Sequence, residues 1–121
     1  MEIADLKTHA GNNEQDDEIQ VVEFLIGEDK FAVNLFDVRE IVEASKITPL
    51  PHAPSHIRGI IDLRGEITTI IDLRKLLLIP AAKDASTADL RFIVMDDTVS
   101  SQKTGIVVDE VTSVLTVPVT D

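Results

Sequence analysis

Apolar residues in this chain fall in short runs separated by breaks rich in Gly, Pro, Asp and Asn. Val21-Val22-Glu23-Phe24-Leu25-Ile26 and Phe31-Ala32-Val33-Asn34-Leu35 flank Gly27-Glu28-Asp29-Lys30. Two β-rich runs around a turn of this composition predict a hairpin. A second hairpin is predicted from Ile57 to Leu63 and from Ile67 to Ile71, across Arg64-Gly65-Glu66, where Gly65 supplies the permissive φ that a tight reversal needs. Leu90 to Met95 and Gly105 to Val108, separated by Asp96 to Thr104, form a third candidate pair. Val38, Ile41 and Val42 recur at i, i+3 and i+4 among Asp37, Arg39, Glu40 and Glu43, which predicts a turn or two of amphipathic helix. That helix must be short, because β-branched residues dominate it and Pro49 and Pro51 follow. Residues 47–54 hold three of the five prolines and read as a stiff connector or an edge strand. Leu73 to Leu78 suggests a short helix ending before Pro80, and residues 81–89, small and polar, a loop.

The pattern also echoes itself. Sliding the chain by 73 positions sets Val33, Leu35, Val38, Ile41 and Val42 over Ile106, Val108, Val111, Val114 and Leu115, with Asp37 over Glu110. All five apolar positions stay apolar, although chance also yields such a match in a chain this rich in Val, Ile and Leu. If the echo reflects duplication, the segment from His56 to Leu78 has no second copy before Asp121. A second small barrel would then lack its last hairpin and leave open strand edges for a tail, a partner or a second copy of the chain to cover.

Composition narrows the function. A chain of 121 residues with 44% hydrophobic residues and a mean hydropathy of +0.13 has the apolar content for one folded unit. The formal charge of −11, from 22 Asp and Glu against 11 Lys and Arg, opposes binding to nucleic acid or anionic lipid. Much of the excess lies in residues 1–20, where Glu2, Asp5, Glu14, Asp16, Asp17 and Glu18 face Lys7 alone, and this stretch reads as a flexible acidic arm. The absence of Cys excludes disulfides, thiolate catalysis and Cys-based zinc sites, and fits a reducing cytosol. No apolar run approaches the roughly 20 residues of a membrane helix, and the start lacks the order of a signal peptide, so a cytoplasmic protein is expected. Without Trp or Tyr, and with four Phe, it also lacks the stacking platforms of single-strand nucleic-acid binders.

Catalytic and metal-binding devices are hard to find. His52 and His56 are four apart, but Pro51 and Pro54 disfavour helix there and no third ligand is nearby, so no metal is expected. Asp96-Asp97 and Asp109-Glu110 are neighbours whose side chains point to opposite faces of a strand, which suits solvated turns and strand ends better than a carboxylate pair. There is no Gly-x-Ser-x-Gly elbow and no phosphate loop, so neither an enzyme nor a cofactor is expected. What stands out is Arg64 on a glycine turn and Glu40 on the short amphipathic segment, with Val38 and Ile41 beside it. Either these are ordinary surface charges, or they bracket a docking groove, work for which the planar fork and long stem of Arg are suited.

These residues belong to a longer ordered set. Phe24-Leu25-Ile26-Gly27, Phe31-Ala32-Val33, Val38-Arg39-Glu40-Ile41-Val42, Ile47-Thr48-Pro49-Leu50-Pro51, Gly59-Ile60-Ile61-Asp62-Leu63-Arg64-Gly65, Ile70-Ile71-Asp72-Leu73-Arg74 and Gly105-Ile106-Val107-Val108-Asp109-Glu110-Val111 follow one another at the spacing of the CheW-like family. The chain resembles that family from Gln20 to Asp121. The resemblance implies a mainly β fold of two small SH3-like five-stranded barrels side by side, the second incomplete, with the first over about residues 21–80 and the partial second over about 90–121. It implies a non-catalytic chemotaxis adaptor that binds the regulatory domain of a CheA-type histidine kinase and the cytoplasmic tip of a methyl-accepting chemoreceptor, recruited to membrane-associated receptor arrays. Carried over by motif, the receptor groove would be lined by Val38, Glu40, Ile41, Gly59 and Arg64, with Gly105, Val111 and Val114 from the other half; Glu40 would orient the Arg64 guanidinium toward the receptor. Kinase-contacting residues are not assigned beyond strand and loop ends.

Two departures accompany the resemblance. Thr69 stands where the family usually has Pro, and the Gly-containing hairpin with an Ile-Leu-Leu-Asp-Leu-like strand that normally follows is absent from this sequence. Competing readings are the same module from a CheV-type fusion or from the kinase itself, an unrelated small β-barrel ligand-binding protein with a polar pocket, and a dimer through an open sheet edge.

Overall fold

The structure is a computed structural model that describes residues 18–79, 90–96 and 102–118. Of the arm expected over residues 1–20, residues 1–17 lie outside the described residues, as do the loop over 81–89 and the middle of the third turn, whereas Glu18, Ile19 and Gln20 begin the first strand because they pair with the strand that ends at Pro118. The elements are β1 (Glu18–Ile26), β2 (Asp29–Asn34), a 3₁₀ turn (Leu35–Asp37), β3 (Val38–Glu43), β4 (Ile57–Leu63), β5 (Glu66–Asp72), α1 (Leu73–Leu76), β6 (Arg91–Met95), β7 (Thr104–Val108) and β8 (Glu110–Pro118). The fold is mainly β, in a three-stranded sheet ordered β2-β1-β8 and a five-stranded sheet ordered β3-β6-β7-β5-β4.

The three predicted hairpins are present. In the first, Ile26 pairs with Asp29, so Gly27 and Glu28 make the turn, with Gly27 at φ 63°. In the second, Leu63 pairs with Glu66 around Arg64 and Gly65. In the third, Phe92, Ile93 and Val94 pair antiparallel with Val107, Ile106 and Gly105. Asp72 opens α1 by accepting the Arg74 backbone N–H at 3.0 Å, the usual service of an Asp at a helix start. The proline segment is a connector that pairs with β4 at one bridge: Thr48 and Ile60 exchange two backbone hydrogen bonds of 2.9 Å.

The helix expected around Val38 to Val42 is instead strand β3. Its pairing with β6 carries a β-bulge: Val38 faces Met95, Glu40 faces Val94, and Arg39 is the extra residue. One inserted residue offsets the period-two alternation, so positions three apart reach the same face. Val38 and Ile41 therefore both enter the core between the sheets, which imitates the i, i+3 spacing of a helix.

The five-stranded sheet is apolar on both faces. Phe92 and Val107 join Ile61 and Ile70, with Val42, Ala44, Ile47, Leu63 and Leu90 around them, in one cluster supplied by all five strands. On the opposite face Ile93, Ile106 and Val108, with Val38 and Ile41, meet Val22, Phe24 and Ile26 of the three-stranded sheet. Strands buried on both sides read as continuous apolar runs, which is what Phe92-Ile93-Val94 and Ile106-Val107-Val108 are.

This pairing redraws the division expected at about residue 80. The strands over 21–80 and over 90–118 do not form separate sheets: the five-stranded sheet combines β3, β4 and β5 with β6 and β7, while β8 pairs with β1. The physical reason is edge satisfaction, since β6 and β7 insert between β3 and β5 and β8 takes the edge of β1 that β2 leaves open. The internal echo has a structural counterpart: the bulge opposite Glu23 and Phe24 skips Thr112, and Thr112 is the position that the echo sets over the bulge residue Arg39.

A half-buried corner joins the two sheets. Asp109, between β7 and β8, accepts the Gly27 backbone N–H at 2.5 Å and the Arg74 Nη2 at 3.1 Å, and its own N–H donates to the Leu25 carbonyl at 2.9 Å. Asp109, expected to be a solvated strand end, thus ties the first hairpin, α1 and the β7–β8 corner together.

The contact between β4 and the connector is sensitive at Gly59. At φ 146° it adopts a conformation that side chains rarely reach, and a Cβ there would stand 2.2 Å from the Thr48 carbonyl oxygen. Gly59→Ala is expected to lower unfolding stability by about 2–4 kcal/mol, read by urea titration, with Gly65→Ala, whose Cβ meets open space, losing no more than about half as much.

Candidate functional site

Glu40 lies on β3, at one edge of the five-stranded sheet, and Arg64 in the turn that joins β4, the opposite edge, to β5. Laid flat, five strands would separate those edges by about 19 Å. Instead the Arg64 Nη1 donates to the Glu40 Oε1 at 2.8 Å. The sheet is therefore curled on itself, with the cluster around Phe92 inside the curl, as in a small SH3-like barrel. The ion pair is the polar clasp across the opening.

Local sequence positions each partner. Arg64 and Gly65 both adopt positive φ, 54° and 83°, the signature of a type I′ hairpin turn whose twist matches the flanking strands. The Asp62 carboxylate braces it by accepting the Gly65 N–H at 2.8 Å. The Arg64 side chain remains 64% exposed while the Glu40 side chain is 4% exposed. Burial of a carboxylate is costly unless a cation and hydrogen bonds compensate it, and Arg64 is the cation here. A single N–H of the Arg64 fork is engaged with Glu40, leaving donors directed to solvent.

Around the pair lies a shallow depression of about 250 Å³, lined by Arg39, Glu40, Leu63, Arg64, Glu66, Thr68, Val94 and Lys103. Glu66 bridges two cations on its rim, Arg39 at 3.5 Å and Lys103 at 3.3 Å. Such exposed pairs contribute about 0–1 kcal/mol each, so they set charge and shape more than stability. Among the described residues no group of three His, Cys, Asp or Glu is arranged to hold a metal ion.

The other expected groove residues are spread through the fold. Val38 and Ile41 lie under the site in the inter-sheet core, at 0% and 6% exposure, and support β3 from below. Gly59 is buried beneath Thr48, and Gly105 sits in β7 against the Ile70 side chain, where a Cβ would come within 3.2 Å. Val111 packs on the inter-sheet core, whereas Val114 of β8 is exposed. The structure thus brings Glu40 and Arg64 into contact and places Val38, Ile41, Gly59, Gly105 and Val111 as framework. Thr68, Val94 and Lys103 were not foreseen in this setting. Thr68, 1% exposed, shares β5 with Glu66, Thr69 and Asp72, so its polarity alone gave no signal of burial.

Comparison with known proteins adds a family. Residues 20–121 match the family described as CheW-like domain. The chain is 36% identical over 98 residues to a chemotaxis protein CheW of Rhizobium meliloti (strain 1021), covering 81% of this chain and 61% of that protein. It is 33% identical over 104 residues to a chemotaxis protein CheW of Treponema pallidum (strain Nichols), covering 84% and 60%. Among solved structures, the scaffolding protein TtCheW from Thermoanaerobacter tengcongensis superposes with a TM-score of 0.70 at 35% identity, over 84% of this chain and 65% of that one. The chain thus spans about 60% of the length of these curated relatives.

Arg64→Ala is expected to cost about 1–3 kcal/mol of stability in denaturant titration, because it leaves Glu40 buried and uncompensated, with the lower end favoured by the exposure of the guanidinium. Adding Glu40→Gln should restore part of that loss, so that the double variant unfolds at higher denaturant than Arg64→Ala alone. Additive losses would mean that the two side chains are not energetically coupled.

Proposed function

The chain belongs to the CheW-like domain family, and on that footing we propose that it is a non-catalytic chemotaxis adaptor, linking chemoreceptors to a CheA-type histidine kinase through its surfaces. The observation that carries this reading is the Arg64–Glu40 clasp at the edge of an open depression, where a buried carboxylate holds a largely exposed guanidinium in place. A pre-positioned Arg loses less side-chain entropy on binding than a free one and is well suited to anchor a protein contact.

In this proposal Arg64 makes the contact with the cytoplasmic tip of a methyl-accepting chemoreceptor and Glu40 positions it. Val38, Ile41, Gly59, Gly105 and Val111 maintain the platform, while Val114 lies on the exposed surface of β8. The kinase regulatory domain binds elsewhere, on strand and loop ends of the barrels. The adaptor works in the cytoplasm and is recruited to receptor arrays at the membrane; no helix among the described residues is long and apolar enough to cross a membrane itself.

Pull-down of a receptor cytoplasmic tip and, separately, of a kinase regulatory domain tests the proposal. The chain should retain both, and Arg64→Ala, with folding verified by circular dichroism, should weaken receptor capture at least about tenfold, which is 1.4 kcal/mol, while kinase capture persists. A folded chain that captures neither would overturn the adaptor reading, and equal loss of both partners in Arg64→Ala would remove Arg64 from the receptor contact.

A further inference from the structure

Four strands end the two sheets: β2 and β8 in one, β3 and β4 in the other. Three carry the features by which proteins protect an exposed edge. Asp29 and Lys30 open β2, Arg39 and Glu43 charge β3, and β4 has Arg58 and Asp62 and is partly covered by the Thr48 bridge. The fourth has a bulge at Thr112 and Glu110 and Pro118 at its ends, but between those ends it carries no charge. β8 is nine residues long, and from Val111 to Val117 it reads Val-Thr-Ser-Val-Leu-Thr-Val, without a charge, a Gly or a Pro until Pro118. Among the described residues its one neighbour is β1, so one side of its backbone has no strand partner. Val114 and Leu115 are 37% and 38% exposed.

The same stretch reads nearly identically in both directions about Val114, with Thr112 matching Thr116 and Val111 matching Val117. Run antiparallel to a second copy in that register, β8 sets Val114 beside Val114 and Ser113 beside Leu115, and Glu110 falls opposite Pro118, so no like charges oppose each other. An edge complementary to itself under a twofold axis is what an isologous dimer needs. We propose that β8 is a strand-addition site whose occupant is β8 of a second copy of this chain, giving a continuous six-stranded sheet ordered β2-β1-β8-β8-β1-β2 across the dimer. The charge of −11 on each chain works against this association, and because that repulsion is long-ranged while the edge itself is uncharged, added salt favours the dimer. The inference stands apart from receptor and kinase binding, and neither result below bears on that reading.

Sedimentation equilibrium of the full chain should give twice the monomer mass at high protein concentration, with the dimer fraction rising as salt is added. Leu115→Lys, which places a cation on the exposed edge, should return the chain to monomer with an unchanged circular dichroism spectrum, and Ser113→Lys serves the same purpose if the first variant folds poorly. Because the chain has no Cys, Val114→Cys gives a clean reading of register: it should oxidise to a disulfide-linked dimer, while Lys30→Cys on the β2 edge should not. A monomer at every concentration and salt would overturn the proposal, and so would a dimer that survives Leu115→Lys and is not captured by Val114→Cys.

Discussion

The shared wall formed by β6 and β7 is the constraint on which the rest depends. Phe92 and Val107 point into one cluster, Ile93, Ile106 and Val108 into the other, and the alternation of a strand makes this automatic once both faces must be dry. Because one pair of strands serves two cores, the two sides share their apolar support. The three-stranded sheet finds its apolar floor only on the back of the curled one, and the curled sheet would expose Ile93 and Ile106 without that cover. Asp109 reinforces the joint at the point where the chain leaves the wall, joining Gly27 and Arg74 through one carboxylate.

The candidate site follows from the same geometry. A flat sheet could not bring Glu40 to Arg64, because they belong to its opposite margins. Curling puts β3 and the β4–β5 turn side by side, and the positive φ of Arg64 and Gly65 turns the guanidinium back over Glu40. The interaction is asymmetric: the acid is buried and relies on the base, while the base remains mostly in water with donors to spare. Such a pair is poor as a stabilising device. As a mount for an exposed Arg it is effective, and that is the use the proposed adaptor role makes of it.

Much of this was legible beforehand. The three hairpins follow from apolar runs broken at Gly27, Gly65 and the 96–104 segment, and Arg64 and Glu40 stood out by residue type and setting. The misreading of Val38 to Val42 as helix has a definite cause, since a bulge at Arg39 produces helical spacing in a strand. The division near residue 80 came with the family resemblance, which assigns the barrels to successive stretches of chain, whereas the longest-range pairing, Glu18 with Pro118, joins the two ends of the described chain.

The sequence by itself determined the strands of the three hairpins, where they turn and which family they resemble, though not β3 or β8, because turn chemistry and period-two patterning are local and each run carries its own signal. Which strands pair, which face of β3 looks inward and whether Glu40 is buried beneath Arg64 were decided only by the tertiary structure. Those outcomes depend on edges and faces competing for partners far apart along the chain, and on a sheet curling until its two margins meet.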